Sequence, residues 1–349
     1  MVTVVVGSYF EEDHIRRIAA VDERVRVVYR PDLLPPPRWP GDHQGPEGWI
    51  RPPEDEREWL SLLSRAEVLY DFDRTHLHDL STVAPDLRWV QASFAGAGEV
   101  AARAGLHESG LHESGLRITT ASGVYSGPLA EFVLMAFLAH AKDLDRLREN
   151  KRAHRWQQYL AGTLHGKTLC LVGTGSIGRA VAERALAFGM RVVGVKRTVR
   201  EDDPAREFAG ELYPTGRLHD ALSGADYVAA TLPATPETEL LLDRAAIAAM
   251  KPGAYFANVG RGRVVDEGSL VEALRSGHLS GAALDVFREE PLPQESPLWD
   301  LGNVIVSPHA TDMVPELTDR LLADLFRENL RRYLSGKDLL NELDKELLY

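Results

Sequence analysis

Cysteine is the scarcest residue in this sequence, with a single copy, Cys170, among 349 residues. One cysteine excludes an internal disulfide. Its apolar neighbours are typical of a small buried core residue rather than a reactive thiol. Residues 1–10 lack a basic stretch and have the pattern of a strand, so no secretory signal is expected. These features predict a cytoplasmic protein.

Long apolar runs and an excess of positive charge are also missing. No apolar stretch approaches the roughly 20 residues that a membrane helix needs, so no membrane partner is expected. The formal net charge is −12, and Lys and Arg do not cluster along one helix, which argues against nucleic acid as a partner. Hydrophobic residues make up 44% of the chain, enough for real cores, and the length suits two domains.

A metal-binding pattern is missing as well, although one repeat invites the comparison. The segment GLHES occurs at 105–109 and again at 110–114. Its two histidines are five positions apart and do not share a helix face. We interpret the repeat as a tolerated insertion near a helix end, and we predict no metal site.

Short apolar runs alternate with helical patterns along the chain, which indicates an α/β fold with parallel sheets. A helix is expected from Leu129 to Arg148 and another from Glu316 to Leu334. Residues 31–53 contain eight prolines and break the alternation. This segment is either a long surface loop or a lid over a substrate site, because long loops in compact domains are often functional.

A glycine pattern follows the apolar run at 169–172, and a helical pattern follows it in turn. Its residues are Gly173, Thr174, Gly175, Ser176, Ile177 and Gly178. In that context the first glycine permits a tight turn, the second admits a pyrophosphate and the third lets the helix pack against the strand. The helix N-terminus would then face the phosphates. The pattern predicts a dinucleotide site, the alternative being an ordinary glycine-rich turn.

Three polar segments follow later predicted strands, where open α/β sheets bind ligands. They contain Arg261, Glu290 and His309. An imidazole can exchange a proton with a carbonyl or hydroxyl oxygen near neutral pH, and a carboxylate bonded to it favours its charged form. A guanidinium can hold a substrate carboxylate through two hydrogen bonds. Beside a nicotinamide, this set fits interconversion of 2-oxo and 2-hydroxy acids.

The sequence resembles the D-isomer-specific 2-hydroxyacid dehydrogenases from about Val68 to Glu328. The resemblance rests on LHGKTL at 164–169, LPATPET at 232–238, NVGRG at 258–262, DVF at 285–287 with EPL at 290–292, and SPH at 307–309. It implies that Arg261, Glu290 and His309 are the catalytic residues. It also implies cofactor contacts at Leu232, Pro233, Thr238, Val259, Gly260 and Asp285, and substrate contacts at the amides of Ala95 and Gly96.

The fold that this resemblance implies has two doubly wound, Rossmann-like α/β domains. Residues 1–124 and 311–349 would form a flavodoxin-like substrate domain. Residues 125–310 would form an inserted NAD(P)-binding Rossmann domain. A homodimer is expected, formed through the helix near Leu129 and the arm that follows it.

The chain departs from the family pattern at the end of the second Rossmann strand. NAD-using members carry an acidic residue there, which bonds to the adenosine ribose, whereas this chain has Lys196, Arg197 and Thr198. Basic side chains attract a 2′-phosphate. NADP(H) is therefore the predicted preference, with NAD(H) possible. The alternative is that the two basic residues are simply solvated.

These motifs predict an NAD(P)H-dependent oxidoreductase that interconverts a 2-oxo acid and a D-2-hydroxy acid. His309 and Glu290 would form the acid–base pair, and Arg261 would hold the substrate carboxylate. The alternative is an NAD(P)-sensing, corepressor-like protein of the same fold, which the motifs do not separate from an enzyme. The absence of basic or long disordered extensions favours the enzyme.

Overall fold

A computed structural model of the protein describes residues 1–103 and 115–344, and the GLHES repeat lies outside these ranges. The chain forms two compact units, one of residues 1–124 with 313–349 and one of residues 125–312. The sequence expectation placed the second boundary at 310/311. The assignment of one unit to substrate and the other to cofactor stays a prediction.

Strands and helices alternate along the chain. The first part contains β1 (Val2–Val6), α1 (Glu12–Ala19), β2 (Val25–Val28), α2 (Pro53–Leu63), β3 (Val68–Tyr70), α3 (Leu80–Val83), β4 (Trp89–Gln91), α4 (Ala97–Arg103) and β5 (Arg117–Thr119). The central part contains α5 (Ser126–Ala141), α6 (Leu144–Arg152), β6 (Thr168–Val172), α7 (Ser176–Ala187), β7 (Arg191–Lys196), β8 (Glu211–Pro214), α8 (Leu218–Ser223), β9 (Tyr227–Ala230), α9 (Arg244–Ala249), β10 (Ala254–Asn258), α10 (Glu267–Arg275), β11 (Leu279–Leu284) and β12 (Val304–Val306). A long last helix, α11 (Pro315–Leu334), follows.

Both sheets are parallel. The first runs in the order β2-β1-β3-β4-β5, which is the flavodoxin-like order. The second runs β12-β11-β10-β9-β6-β7-β8, and its strand order reverses between β6 and β9, as in a Rossmann sheet. The predicted class, α/β with two doubly wound sheets, is confirmed.

Buried apolar side chains fill the layers on both faces of each sheet. Trp59, Trp89 and Phe326 are fully buried in the first unit, as are all residues of β9 and β10 in the second. Cys170 on β6 is also fully buried, and burial raises the pKa of its thiol to about 12. The prediction of an inert core cysteine is confirmed.

The proline-rich segment is held by buried polar contacts within the first unit. The ring of His43 is hydrogen-bonded to the Tyr9 carbonyl oxygen at 2.8 Å and to Asp319 Oδ1 on α11 at 3.2 Å. Arg51 Nε donates to the Leu33 carbonyl oxygen at 2.7 Å. Helix α2 begins at Pro53, because proline fits the first helical turn and the acidic residues that follow favour the helix N-terminus.

The predicted helix from Leu129 to Arg148 is wrong, because the chain forms two helices there, α5 and α6. The break lies at Asp143, whose φ of 51° is left-handed and whose carboxylate accepts a hydrogen bond from the Arg146 amide at 3.4 Å. Strand β8 was not predicted. It is a partly exposed edge strand that ends at Pro214, so its sequence lacks the apolar run of a central strand.

Candidate active site

The glycine loop follows β6 at the switch point of the second sheet. Gly173 has φ 111°, and a Cβ there would lie 2.8 Å from Thr231 Oγ1. A Cβ on Gly178 would lie 2.3 Å from the Gly173 carbonyl oxygen. Nothing lies within 4 Å of a Cβ built on Gly175, which precedes α7 and has no side chain to cap it. The loop therefore leaves open space at a helix N-terminus, which fits the pyrophosphate of a dinucleotide.

The basic residues at the end of β7 already have acidic partners. Lys196 Nζ donates to both oxygens of Asp203, at 2.8 and 2.6 Å, and the Asp203 side chain is almost completely buried. Arg197 Nη1 donates to Glu237 Oε2 at 3.1 Å, and both side chains are largely exposed. Thr198 is exposed beside them. Arg197 is thus the more accessible of the two cations.

The segment that begins at Leu232 runs beside the glycine loop. Thr231 Oγ1 donates to the Gly173 carbonyl oxygen at 3.0 Å. The Thr238 hydroxyl donates to the Pro233 carbonyl oxygen at 2.7 Å, so it fixes the shape of its own segment. Val259 is buried. Of the predicted cofactor residues, Gly173, Leu232 and Gly260 lie close together, since a Cβ on Gly260 would lie 2.5 Å from the Leu232 carbonyl oxygen.

Arg261 follows β10 and is half-buried. Its guanidinium donates to the Gly260 carbonyl oxygen at 2.9 Å, and its own carbonyl oxygen accepts a bond from Asn258 Nδ2 at 3.1 Å. The next residue, Gly262, touches the loop after β11, because a Cβ there would lie 1.9 Å from the Phe287 carbonyl carbon. Only glycine allows this approach. The contact joins the loop of Arg261 to that of Glu290.

Glu290 and His309 form a direct hydrogen bond. His309 Nδ1 lies 2.8 Å from Glu290 Oε2, and Glu290 Oε1 accepts the Phe287 amide at 2.9 Å. The bond to Glu290 raises the pKa of His309, against burial and the nearby Arg261 charge. Burial opposes the ionisation of Glu290, but its bonds to His309 and Phe287 lower its pKa. Within residues 1–103 and 115–344, Nε2 of His309 has no hydrogen-bond partner and can meet a substrate.

Asp285 organises the turn that carries His309. It is fully buried, and its Oδ1 accepts the Ser307 hydroxyl at 2.7 Å and the Ala310 amide at 3.1 Å. Its Oδ2 accepts the Thr311 hydroxyl at 2.8 Å. Sequence reasoning missed this anchoring role. The spacing SPHAT after a strand was its only signal.

The structure therefore brings Arg261, Glu290 and His309 into one set within the second unit. Ala95 and Gly96 lie in the first unit, after β4 and before α4, with Ala95 exposed. Sequence reasoning also missed Asp203 and Glu237, the partners of the basic pair. Among the described residues, no group of three His, Cys, Asp or Glu side chains is arranged to hold a metal ion.

Comparison with known proteins identifies the family of this chain. The family described as D-isomer specific 2-hydroxyacid dehydrogenase, NAD binding domain, matches residues 134–311. A glyoxylate reductase from Aeropyrum pernix is 35% identical over 307 residues, covering 83% of this chain and 86% of that protein. The chain belongs to the D-isomer specific 2-hydroxyacid dehydrogenases.

Solved structures resemble this chain over nearly its full length, and one of them is described as a D-isomer specific 2-hydroxyacid dehydrogenase. One from Xanthobacter autotrophicus, in complex with NADPH and MES, is 28% identical with a TM-score of 0.76 and covers 99% of both chains. An NADPH-dependent glyoxylate/hydroxypyruvate reductase from Sinorhizobium meliloti, in complex with NADP and sulfate, is 25% identical with a TM-score of 0.74 and covers 100% of both chains.

Membership of the dehydrogenase family establishes the class of reaction. The protein is an NAD(P)H-dependent oxidoreductase that interconverts a 2-oxo acid and a 2-hydroxy acid. None of the relatives named above is described as a sensor or corepressor. No helix within residues 1–103 and 115–344 is both long and apolar enough to cross a membrane.

Proposed function

We propose that this dehydrogenase reduces a small 2-oxo acid to a D-2-hydroxy acid with NADPH. The observation that carries the proposal is the 2.8 Å hydrogen bond between His309 and Glu290, in a set that includes Arg261. A histidine whose charged form is favoured by a bonded carboxylate, beside a guanidinium, suits protonation of the carbonyl oxygen of a substrate whose carboxylate is bound by arginine.

Each catalytic side chain has one role in this proposal. When bound, the reduced nicotinamide supplies a hydride to C2 of the substrate. His309 donates the Nε2 proton to the substrate oxygen, because Nδ1 is occupied by Glu290. Arg261 would hold the substrate carboxylate, and the amides of Ala95 and Gly96 remain predicted substrate contacts. In the oxidation direction His309 accepts the proton.

The proposed cofactor contacts surround the glycine loop. Amides of residues 173–178 would hold the pyrophosphate, and Asp285 would also accept a bond from the nicotinamide carboxamide. The remaining contacts would come from Leu232, Pro233, Thr238, Val259 and Gly260. Arg197, with Lys196 and Thr198, would bind the 2′-phosphate and favour NADP(H) over NAD(H). The S. meliloti and X. autotrophicus relatives, solved with NADP and NADPH, support this preference.

We also propose a homodimer in the cytoplasm. Helices α5 and α6 and the arm after them expose several large apolar side chains. These are Met135, Leu147, Trp156 and Leu160, with exposed fractions of 47%, 42%, 98% and 101%. Apolar surface of this kind marks an interface. Light scattering coupled to gel filtration measures the mass, and a monomer at micromolar concentration would contradict the dimer.

The test of the function is absorbance at the nicotinamide band with a panel of 2-oxo acids that includes glyoxylate and hydroxypyruvate. We expect NADPH oxidation with at least one of them. In His309→Gln, turnover should fall by orders of magnitude while the Kd for NADPH changes little. NADPH binding without turnover of any 2-oxo acid would overturn the proposal and favour a sensor.

A further inference from the structure

Two neighbouring strands of the first sheet place Arg74 beside the proposed carboxylate-binding amides. β3 pairs with β4 in parallel, with Tyr70 opposite Gln91, so the residues that follow each strand share one edge. The Arg74 guanidinium lies over the ring of Phe94, with its Cζ 5.5 Å from the ring centroid. Phe94 immediately precedes Ala95 and Gly96.

The two loops that carry Arg74 and Phe94 are fixed to each other. Asp71 Oδ2 accepts the Ser93 hydroxyl at 2.7 Å, and both residues are buried. The rings of Phe72 and Phe94 are 6.3 Å apart between centroids. Hydrogen bonding and packing therefore hold the Phe94 ring in place for the guanidinium.

The backbone on either side of Arg74 is also fixed. Asp73 is buried, and it accepts a hydrogen bond from Trp59 Nε1 at 2.6 Å. Asp73 Oδ1 accepts both the Thr75 amide, at 3.0 Å, and the Thr75 hydroxyl, at 2.7 Å. Arg74 thus projects from a turn whose backbone is fixed on both sides.

The charge of Arg74 is available. Its side chain is exposed, and within the described ranges no carboxylate lies at ion-pair distance from it. The adjacent Asp73 faces Arg51, whose Nη2 lies 3.9 Å from Asp73 Oδ1. A cation–π contact with an aromatic ring does not use the N–H groups of the guanidinium as hydrogen-bond donors, so they can donate to a carboxylate.

We propose that Arg74 binds a second carboxylate on the substrate, so that the enzyme favours 2-oxo dicarboxylic acids over 2-oxo monocarboxylic acids of the same length. The proposal rests on the proposed function, since Ala95 and Gly96 would hold the C1 carboxylate. Arg74 acts on specificity and takes no part in proton or hydride transfer.

The experiment compares kcat/KM for oxaloacetate with that for its monocarboxylate analogue 2-oxobutyrate, and 2-oxoglutarate with 2-oxopentanoate. We expect Arg74→Met to lower kcat/KM for a dicarboxylate at least about tenfold, through KM, as loss of a charge-assisted hydrogen bond predicts. For the monocarboxylate analogues and glyoxylate, kcat/KM should change less than about twofold. Arg74→Lys keeps the positive charge but lacks the paired N–H donors of a guanidinium, so its kcat/KM for dicarboxylates should lie between those of the wild type and Arg74→Met.

Arg57→Met is the matched control, because Arg57 is an exposed arginine of the same unit on α2. Arg57→Met should leave the ratio of kcat/KM for each dicarboxylate to that for its monocarboxylate analogue unchanged. An equal loss of kcat/KM on dicarboxylate and monocarboxylate substrates in Arg74→Met would overturn the proposal, and so would no loss. Wild-type turnover of 2-oxo monocarboxylic acids alone would also overturn it but leave the proposed function intact. Turnover of neither class would overturn the proposed function itself.

Discussion

Glu290 links His309 to the loop after β11, since Oε2 bonds to His309 Nδ1 at 2.8 Å while Oε1 accepts the Phe287 amide at 2.9 Å. The carboxylate therefore has a fixed position and one oxygen for the imidazole. This geometry sets the tautomer of the ring and favours its charged form. The pH dependence of the reaction should therefore depend on the hydrogen bond between Glu290 and His309.

We predict that Glu290→Gln moves the pH profile of reduction. His309 must be protonated to act, so kcat falls as pH rises through its pKa, and Glu290 raises that pKa. Without the Glu290 carboxylate the pKa of His309 drops, so kcat begins to fall at a lower pH. At neutral pH we expect a loss of about tenfold to a hundredfold. Rates with NADPH across the pH range provide the measurement, with the exposed neighbour Glu289→Gln as control. An unchanged profile would show that Glu290 does not set the pKa of His309.

A second prediction concerns Gly262→Ala. The added Cβ would lie 1.9 Å from the Phe287 carbonyl carbon, and the backbone must shift. That shift moves Arg261 and the Phe287 amide together. We expect kcat/KM to fall about a hundredfold, as for misplaced catalytic groups. The control is Gly268→Ala in α10, where the nearest atom to a Cβ is Asp266 Oδ1 at 3.5 Å. Equal activity in the two variants would contradict the close packing of these loops.

A third prediction concerns the anchor of the His309 turn. Ser307→Ala removes the 2.7 Å hydrogen bond to the fully buried Asp285. A bond to a buried charged group is worth about 1.5–3 kcal/mol, so the free energy of unfolding should fall by that amount. Denaturant titration followed by tryptophan fluorescence measures it. Ser223→Ala, which removes a surface bond to the Asp220 carbonyl oxygen, should cost less than about 1 kcal/mol. An equal loss in both would argue against the anchor.

The α/β class and the position of the candidate site could be predicted from the sequence for a physical reason. Central parallel strands are buried on both faces and have apolar runs in the sequence, so the residues after them could be placed at one sheet edge. Arg261, Glu290 and His309 were singled out in this way, whereas their proposed catalytic roles and the two-domain organisation came from the family resemblance. Contacts between side chains on loops that are distant in the sequence leave no comparable pattern in the sequence, so they could not be predicted. Asp203 reaches Lys196 from a separate turn, and Arg74 meets Phe94 across two loops.

The last prediction concerns cofactor choice and separates Arg197 from Lys196. Arg197 pairs with an exposed carboxylate, Glu237, which a 2′-phosphate can displace because surface ion pairs are weak. Lys196 pairs with the almost completely buried Asp203, and its charge is largely neutralised there. Arg197→Met should therefore lower kcat/KM with NADPH more than about tenfold and leave the NADH value within about twofold. Lys196→Met should change the ratio of kcat/KM with NADPH to kcat/KM with NADH by a smaller factor.

Glu237→Gln tests the same site in the opposite direction. Glu237 competes with the phosphate for Arg197, so its neutralisation should raise kcat/KM with NADPH by about twofold to fivefold, in line with the modest worth of exposed pairs. NADH carries no phosphate at this position and should not gain. The control is Glu183→Gln, which removes a similar exposed pair, 3.1 Å to Arg179. A gain with both cofactors, or a tenfold preference of the wild type for NADH, would show that Arg197 does not select NADPH.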